Sequence, residues 1–495
     1  MDNIYLDTYY FFVPNRLVWN HWREFNGENT QSAWIPTVEY EVPTITSPPQ
    51  TGWTSGTIAD YMGIPINVPG LSVNALPIRA YALIMNEWFR DENLSDPLHI
   101  PVTDNVVQGS NGDLAITDVA KGGKCYRAAK FHDYFTSCLP APQKGPDVTI
   151  PVSDGSNLPV MGLQETHSIG GFGMYGQVGG AGTSQPRANA TARTATSSSA
   201  EDYNMLKFDR AAGGPQPLNP TGNTVHFEPT NLWAIDSGSV SAATINQLRM
   251  AFQIQKLYEK DARGGSRYIE ILKSHFGVTS PDARLQRPEY LGGNRIPINI
   301  NQVVQQSATQ DGTTPQGNPV GLSMTSDSHG DFSKSFVEHG FVIGLMVSRY
   351  DHTYQQGLDR FWSRKSRFDY YWPVFANIGE QAVKNKEIYA QGNSEDDEVF
   401  GYQEAWADYR YKPSRVTGEM RSTHPTPLDV WHLADDYDIL PSLSDSWIRE
   451  NKNTVDRVLA IQSSVANQIF CDIFIQNLST RPMPLYSIPG LIDHH

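Results

Sequence analysis

Apolar residues alternate with period two at four widely separated places along this chain. Ile4, Leu6, Thr8, Tyr10 and Phe12 alternate with Tyr5, Asp7, Tyr9 and Phe11, and Ile296, Ile298 and Ile300 alternate with Pro297, Asn299 and Asn301. Phe341, Ile343, Leu345 and Val347 form a third run, whose second face is also apolar through Val342 and Met346. Ile469, Cys471, Ile473 and Ile475 alternate with Phe470, Asp472, Phe474 and Gln476. Period two in segments rich in β-branched and aromatic residues predicts the strands of a β-sandwich. Residues 4–13 are bulky on both sides, so that strand requires cover on both faces and a partner on both edges.

Helical periodicity is confined to three stretches. Leu76, Ala80, Leu83, Ile84 and Trp88 make one apolar stripe. Thr244 and Gln247 have capping-box spacing ahead of Ile245, Leu248 and Phe252. Ser266 is the candidate N-cap of a third helix carrying Ile269, Leu272 and Phe276, with Gly277 as its stop. No βαβ alternation repeats, which argues against a doubly wound parallel sheet.

Residues 349–421 suit neither element type. Large aromatics, paired charges, glycines and prolines alternate there without a sustained apolar period. Trp, Tyr and Arg carry binding energy at the centres of protein interfaces, so this stretch predicts contact with copies of the chain or with close partners. Its densest part is Arg360, Phe361, Trp362, Ser363, Arg364, Lys365, Ser366, Arg367 and Phe368. Two readings fit: single-stranded nucleic acid stacked on aromatics with phosphates on cations, or an inter-subunit contact. The second is favoured, with Arg360, Trp362, Arg364, Lys365, Arg367, Trp406, Arg410 and Tyr411 as candidate interface or DNA-contact residues.

Composition narrows the choice. In 495 residues the hydrophobic share is 39%, with 40 glycines and 33 prolines, which means many turns and long loops around a modest core. The net charge of −15 argues against the chain itself being the main neutraliser of a nucleic acid. Cys125, Cys138 and Cys471 form no disulfide framework and no paired metal motif, which predicts a reducing compartment. The N-terminus lacks signal-peptide features, and no apolar run approaches the roughly 18 residues of a membrane span. Residues 165–225 are rich in Gly, Ser, Thr and Ala and nearly devoid of large aliphatics, so they read as an insertion projecting from a β framework.

Motifs that carry chemistry are sparse. Gly171, Gly173 and Gly176 have the GxGxxG spacing, but more glycine follows where a helix must open, so the low-complexity reading wins. Glu395–Glu398 and the cluster Asp435, Asp436 and Asp438 offer hard oxygen ligands for a structural cation, without an EF-hand pattern. Glu404 and Asp408 beside Trp406 raise a glycosidase reading that carboxylate separation decides. His329, His339 and His352 are too scattered for a zinc signature. No catalytic constellation stands out, and no cofactor is expected.

Eight blocks are similar to a known family. They include YYFFVPNRLVWNHW, NALPIRAYALIMNEWFRDENL, AAKFHDYFTSCLPAPQKGP, DHTYQQGLDRFWSRKSRFDYYWPVFANIGEQAV, FGYQEAWADYRYKPSRVTGEMRS and STRPMPLYSIPGLIDHH. In order, and over nearly the whole chain except the Gly/Ser/Thr-rich insertion, they resemble the major capsid protein of gokushoviruses, small single-stranded DNA bacteriophages of the microvirus group.

The resemblance implies a mainly β fold: an eight-stranded antiparallel viral jelly roll with long loop insertions and a few short helices. Residues 1–164 would be its N-terminal part with a helical insertion, 165–225 the protrusion at the three-fold axes, and 226–495 the remainder with interface loops. It implies a homo-oligomeric T=1 shell assembled in the bacterial host cytoplasm around a circular single-stranded DNA genome. A small basic packaging protein and a host surface receptor are the implied partners, and no membrane is involved. Relatives carry a further stretch ahead of the block matching residues 1–15, so Met1 is expected to be internal to a longer protein. The 495-residue form, made alone, is then expected to assemble poorly. The alternative from another class is a β-sandwich that binds or cleaves carbohydrate.

Overall fold

The structure, a computed structural model, describes residues 4–28, 38–148, 245–265, 267–279, 286–304, 319–459 and 461–481, with short strands at 160–162, 174–177, 188–190, 226–229 and 232–234. Pro146–Lys256 is one compact unit and the rest of the chain is another.

The larger unit is organised by β1 (Ile4–Pro14), and the segment predicted to need two edge partners has both. Three short strands follow it: β2 (Thr44–Thr46), β3 (Ser72–Asn74) and β4 (Val107–Gln108), with β2 antiparallel to β3 and parallel to β4. The Pro146–Lys256 unit holds β5 (Val160–Gly162), β6 (Met174–Gln177), β7 (Ala188–Ala190), β8 (His226–Pro229) and β9 (Leu232–Ala234). There β6 lies between β7 and β8, and β5 pairs with β9. The last glycine of the GxGxxG spacing therefore sits in a strand. Residues 171–173 of that motif, and most of residues 165–225, lie outside the described residues.

Back in the larger unit, β10 (Glu289–Ile298) and β13 (Gly340–Tyr350) flank β1 antiparallel on its two edges. The registers run from Ile4 opposite Ile298 and Tyr350, with a bulge at Tyr10/Phe11 on the β10 side. Between them in sequence, β11 (Ile300–Val304) and β12 (Pro319–Ser323) form a hairpin. Farther along, β14 (Glu380–Lys384) pairs with β15 (Val399–Glu404). These strands, long loops and mostly short helices make a β-rich architecture.

Alternation sends Tyr9, Phe11 and Val13 to one face of β1, where they meet Phe341, Ile343, Leu345 and Val347 of β13. That face packs on Val18, Trp19 and the apolar stripe of a helix at Leu76–Ile84. In chain order the helices are α1 (Trp22–Phe25), α2 (Ile58–Tyr61), α3 (Leu76–Ile84), α4 (Ile245–Gly264), α5 (Tyr268–Phe276), α6 (Asn385–Ile388), α7 (Asp445–Ile448) and α8 (Asn453–Val458). The stripe predicted through Trp88 continues past α3 as a π turn, Met85–Phe89. Arg79 of α3 is wholly buried and donates to the carbonyls of Val18 (3.2 Å) and Thr103 (3.1 Å), while burial lowers its pKa to about 10.

Boundaries shift where caps were inferred. Thr244 and Ser266 lie outside the described residues; the N-cap of α5 is Arg267, closed by Glu270, whose carboxylate accepts from the Arg267 amide at 3.2 Å. Gly277 ends α5 as anticipated, in the left-handed region at φ 70°. A second core gathers Tyr134, Phe135, Val383, Ile388, Phe400, Trp447 and Ile448.

One strand prediction is overturned. Residues 469–476 form no strand and pair with no strand among the described residues, and Phe470 and Phe474 are 96% and 91% exposed. Alternation marks a segment able to be buried on two faces; it does not say that the burying surface belongs to the same chain.

Candidate assembly interface

The basic and aromatic segment runs over the second core in three short 3-10 turns, Arg360–Ser363, Arg367–Asp369 and Pro373–Phe375. Ser366 caps the middle turn: its hydroxyl accepts from the Phe368 amide, and Asp369 accepts from the Lys365 and Ser366 amides at 2.8 and 2.7 Å. These backbone contacts hold the Asp369 carboxyl below its ordinary pKa.

The candidate residues separate into two groups. Arg360, Arg364 and Tyr411 turn inward and, with Tyr134, Glu387 and Asp408, line a cleft of about 450 Å³. Arg360 donates to the Ala382 carbonyl (2.8 Å) and the Tyr134 hydroxyl (3.4 Å), and lies 3.9 Å from Glu387. Burial works to lower the Arg360 pKa, but Glu387 and Tyr134 outweigh it and the net shift is upward. For Glu387 burial prevails over the Arg360 charge, and its pKa rises. Arg364 pairs with Asp408 while its guanidinium lies 4.3 Å from the centre of the Tyr409 ring. Tyr411 stacks on Tyr134 at 4.9 Å.

Trp362, Lys365 and Arg367 face outward. Trp362 is 65% exposed beside Phe361, and Arg367 lies over the ring of its neighbour Phe368. Phe368, Tyr370, Tyr371, Trp372, Val374 and Ile378 continue this exposed shelf. Trp406 sits in the left-handed region at φ 67° and donates its indole N–H to the Phe375 carbonyl at 2.8 Å, tying the shelf to β15. Arg410 is exposed and paired with Glu404. Thus the carboxylates of both Glu404 and Asp408, raised as glycosidase candidates, are engaged by guanidinium groups.

The acidic runs are also engaged. Asp397 takes the amines of Lys384 and Lys386, each at 2.8 Å, and its pKa falls to about 2. Asp435 is buried, and its carboxylate accepts from His352 Nδ1 (2.9 Å), Tyr437 (3.0 Å) and Tyr350 (3.1 Å), with the Lys130 amine 3.5 Å away. The other ring nitrogen of His352 meets Glu450 at 3.1 Å. Burial pulls His352 down and Asp435 up, yet their mutual attraction prevails, leaving His352 at about 9 and Asp435 at about 2. Among the described residues no group of His, Cys, Asp or Glu is arranged to hold a metal ion. Sequence reading missed this cluster because Lys130, His352, Asp435 and Glu450 are brought together only by the fold.

An acidic subunit whose exposed shelf is aromatic, and whose arginines are largely spent on internal pairs, has the surface of a self-assembling protein. The model of the capsid protein (F protein) family matches residues 1–491. The chain belongs to this family. It is 43% identical over 495 residues to the capsid protein VP1 of Spiroplasma virus 4, covering 99% of this chain and 86% of that relative. It is 41% identical over 494 residues to the capsid protein VP1 of Bdellovibrio phage phiMH2K, covering 99% and 86%. The capsid protein VP1 of Chlamydia phage 1 is similar at 41% over 535 aligned positions, covering 99% and 87%. The capsid chain is a structural component of the phage virion, and its working partner is another copy of itself. No helix among the described residues is long and apolar enough to cross a membrane.

Proposed function

We propose that this chain is the major capsid protein of a gokushovirus-like phage and closes a T=1 icosahedral shell around a circular single-stranded DNA genome. The strands around β1 would contribute to an eight-stranded jelly roll. The observation that carries this reading is the full-length family match combined with the exposed shelf of Trp362, Phe368, Tyr370, Tyr371 and Trp372 on an acidic subunit. Aromatic side chains in that number are desolvated at the centre of a contact rather than left in water.

In this reading residues 165–225 form the three-fold protrusion that meets the host surface, and the net charge of −15 leaves genome neutralisation to a small basic partner. Trp362, Lys365 and Arg367 are the outward residues placed to meet a neighbouring subunit or DNA, while Arg360 and Arg364 support them from beneath. The test is sedimentation and negative-stain imaging of the full-length protein produced with the other virion proteins of its phage. Closed shells of one size, holding nuclease-protected single-stranded DNA, are expected. Subunits that stay monomeric at every concentration would overturn the reading.

A further inference from the structure

Two elements of this chain leave a backbone edge without a partner strand among the described residues. The first is the segment 469–478, which forms no helix or strand of its own. Its departure point is fixed: the Asp456 carboxylate accepts from the Ser463 amide (2.8 Å) and hydroxyl (2.7 Å), and Gln468 donates to Asp456 and to the Ile461 carbonyl. Beyond Gln468 that anchoring stops. Among the described residues no backbone hydrogen bond involves residues 469–478, and Phe470, Phe474 and Leu478 are each more than nine-tenths exposed. The stretch alternates with two apolar faces, Ile469, Ile473 and Ile475 on one and Phe470 and Phe474 on the other.

The second element is the outer edge of β13. In the sheet order β10-β1-β13 it is terminal, and no backbone among the described residues pairs with that edge. Native proteins shorten, charge or cover such edges, because a long open one templates further pairing. This one is eleven residues long, and between Phe341 and Val347 it carries no charged side chain. Val342 and Met346 stand 43% and 41% exposed on its outer face, while Phe341, Ile343 and Leu345 face the core.

We propose that residues 469–476 of one subunit add as a strand to the outer edge of β13 in a neighbouring copy, exchanging an arm between subunits. The proposal rests on the assembly reading above. The dimensions agree: eight residues span roughly 27 Å and β13 roughly 37 Å. The patterns agree as well. Phe470 and Phe474 cover Val342 and Met346, while the isoleucine face continues the apolar layer of Phe341, Ile343 and Leu345. Main-chain hydrogen bonds give such a contact its strength, and alternate side chains set its register. The occupant is a second copy, because the chain is a capsid protein and its own segment makes no such pairing among the described residues of the subunit.

The experiment co-expresses two differently tagged full-length versions, one with Asp472→Cys, on the same side as Phe470 and Phe474, and one with Met346→Cys. Both versions also carry Cys471→Ser, because that native thiol is exposed on the arm, and a short bis-maleimide is applied to assembled particles, with the parents lacking either new cysteine as controls. A cross-link joining the two tags is expected, and it disappears when Phe470→Ser and Phe474→Ser are added. The double serine variant should remain folded by circular dichroism while the concentration needed for assembly rises roughly 100-fold, the scale for exposing two large apolar side chains. Wild-type shells without a cross-tag link, links confined to one subunit, or normal assembly of the serine variant would overturn the arm exchange and leave the capsid reading standing. A wild type that forms no shells would bring down both.

Discussion

Replacing Asp435 by Asn tests whether the buried cluster at His352 holds the second half of the subunit together. The amide keeps the shape of the carboxyl group but removes the negative charge that faces His352 at 2.9 Å and Lys130 at 3.5 Å. Both cations are about 1% exposed, so water cannot replace the lost partner. Glu450 remains on the far side of His352 and offsets part of the loss. Breaking a buried ion pair by removing one member costs about 3–5 kcal/mol, and the lower part of that range is expected here because Glu450 stays.

The same cluster sets a pH dependence in the wild type. His352 has a folded pKa of about 9 against 6.5 when unfolded, so its contribution is complete below pH 6.5 and is lost as pH rises through 9. Asp435 has a folded pKa of about 2 against 3.8, so its contribution is present above pH 3.8 and is lost as pH falls through 2. The window in which both act runs from about pH 4 to 6.5. Over the basic limb the shift of His352 corresponds to roughly 3 kcal/mol. Urea unfolding of the soluble subunit at pH 6, 7.5 and 9 reads both effects. Wild-type stability flat from pH 6 to 9, or a loss below about 1 kcal/mol in Asp435→Asn, would refute the assignment of this cluster as a stabilising ion network.

Three further outcomes are expected. Gly52→Ala should cost roughly 2–4 kcal/mol by thermal unfolding, since φ is +67° and an added Cβ would lie 2.4 Å from the Val68 amide nitrogen. Trp362→Ala and Arg367→Ala should change subunit stability by less than about 0.5 kcal/mol while reducing particle yield, whereas Arg360→Ala should destabilise the free subunit, as a denaturation series of the three would register. In intact subunits Cys471, exposed on the arm, should react with a maleimide far faster than Cys138, whose thiol is buried and pushed up by that burial, as mass spectrometry over a time course would resolve.

Periodicity made β1, β10, β13 and the three helices legible, because each owes its placement to residues spaced along a single element. The same periodicity misread residues 469–476, where the apolar pattern is real but no partner strand is found among the described residues. The shelf was visible in composition, yet its division into inward Arg360, Arg364 and Tyr411 and outward Trp362, Lys365 and Arg367 depends on Glu387, Asp408 and Tyr134 arriving from elsewhere in the chain. The Asp435 cluster was hidden for the same reason. An acidic run suggests a solvated face or a cation site until the fold brings His352 and Lys130 against it.

The position of β1 between β10 and β13 also has a kinetic side. Residues 4–14 are translated long before either strand that pairs with them, and Gly340, the first residue of β13, follows Ile4 by roughly 330 residues. At ribosomal speeds of about 5–20 residues per second the nascent chain carries that doubly apolar strand without either partner for roughly 15–60 s, until β10 is complete. Non-local pairing of this kind slows folding and lengthens exposure to aggregation. Depletion of ribosome-associated chaperones should therefore lower particle yield before it lowers synthesis.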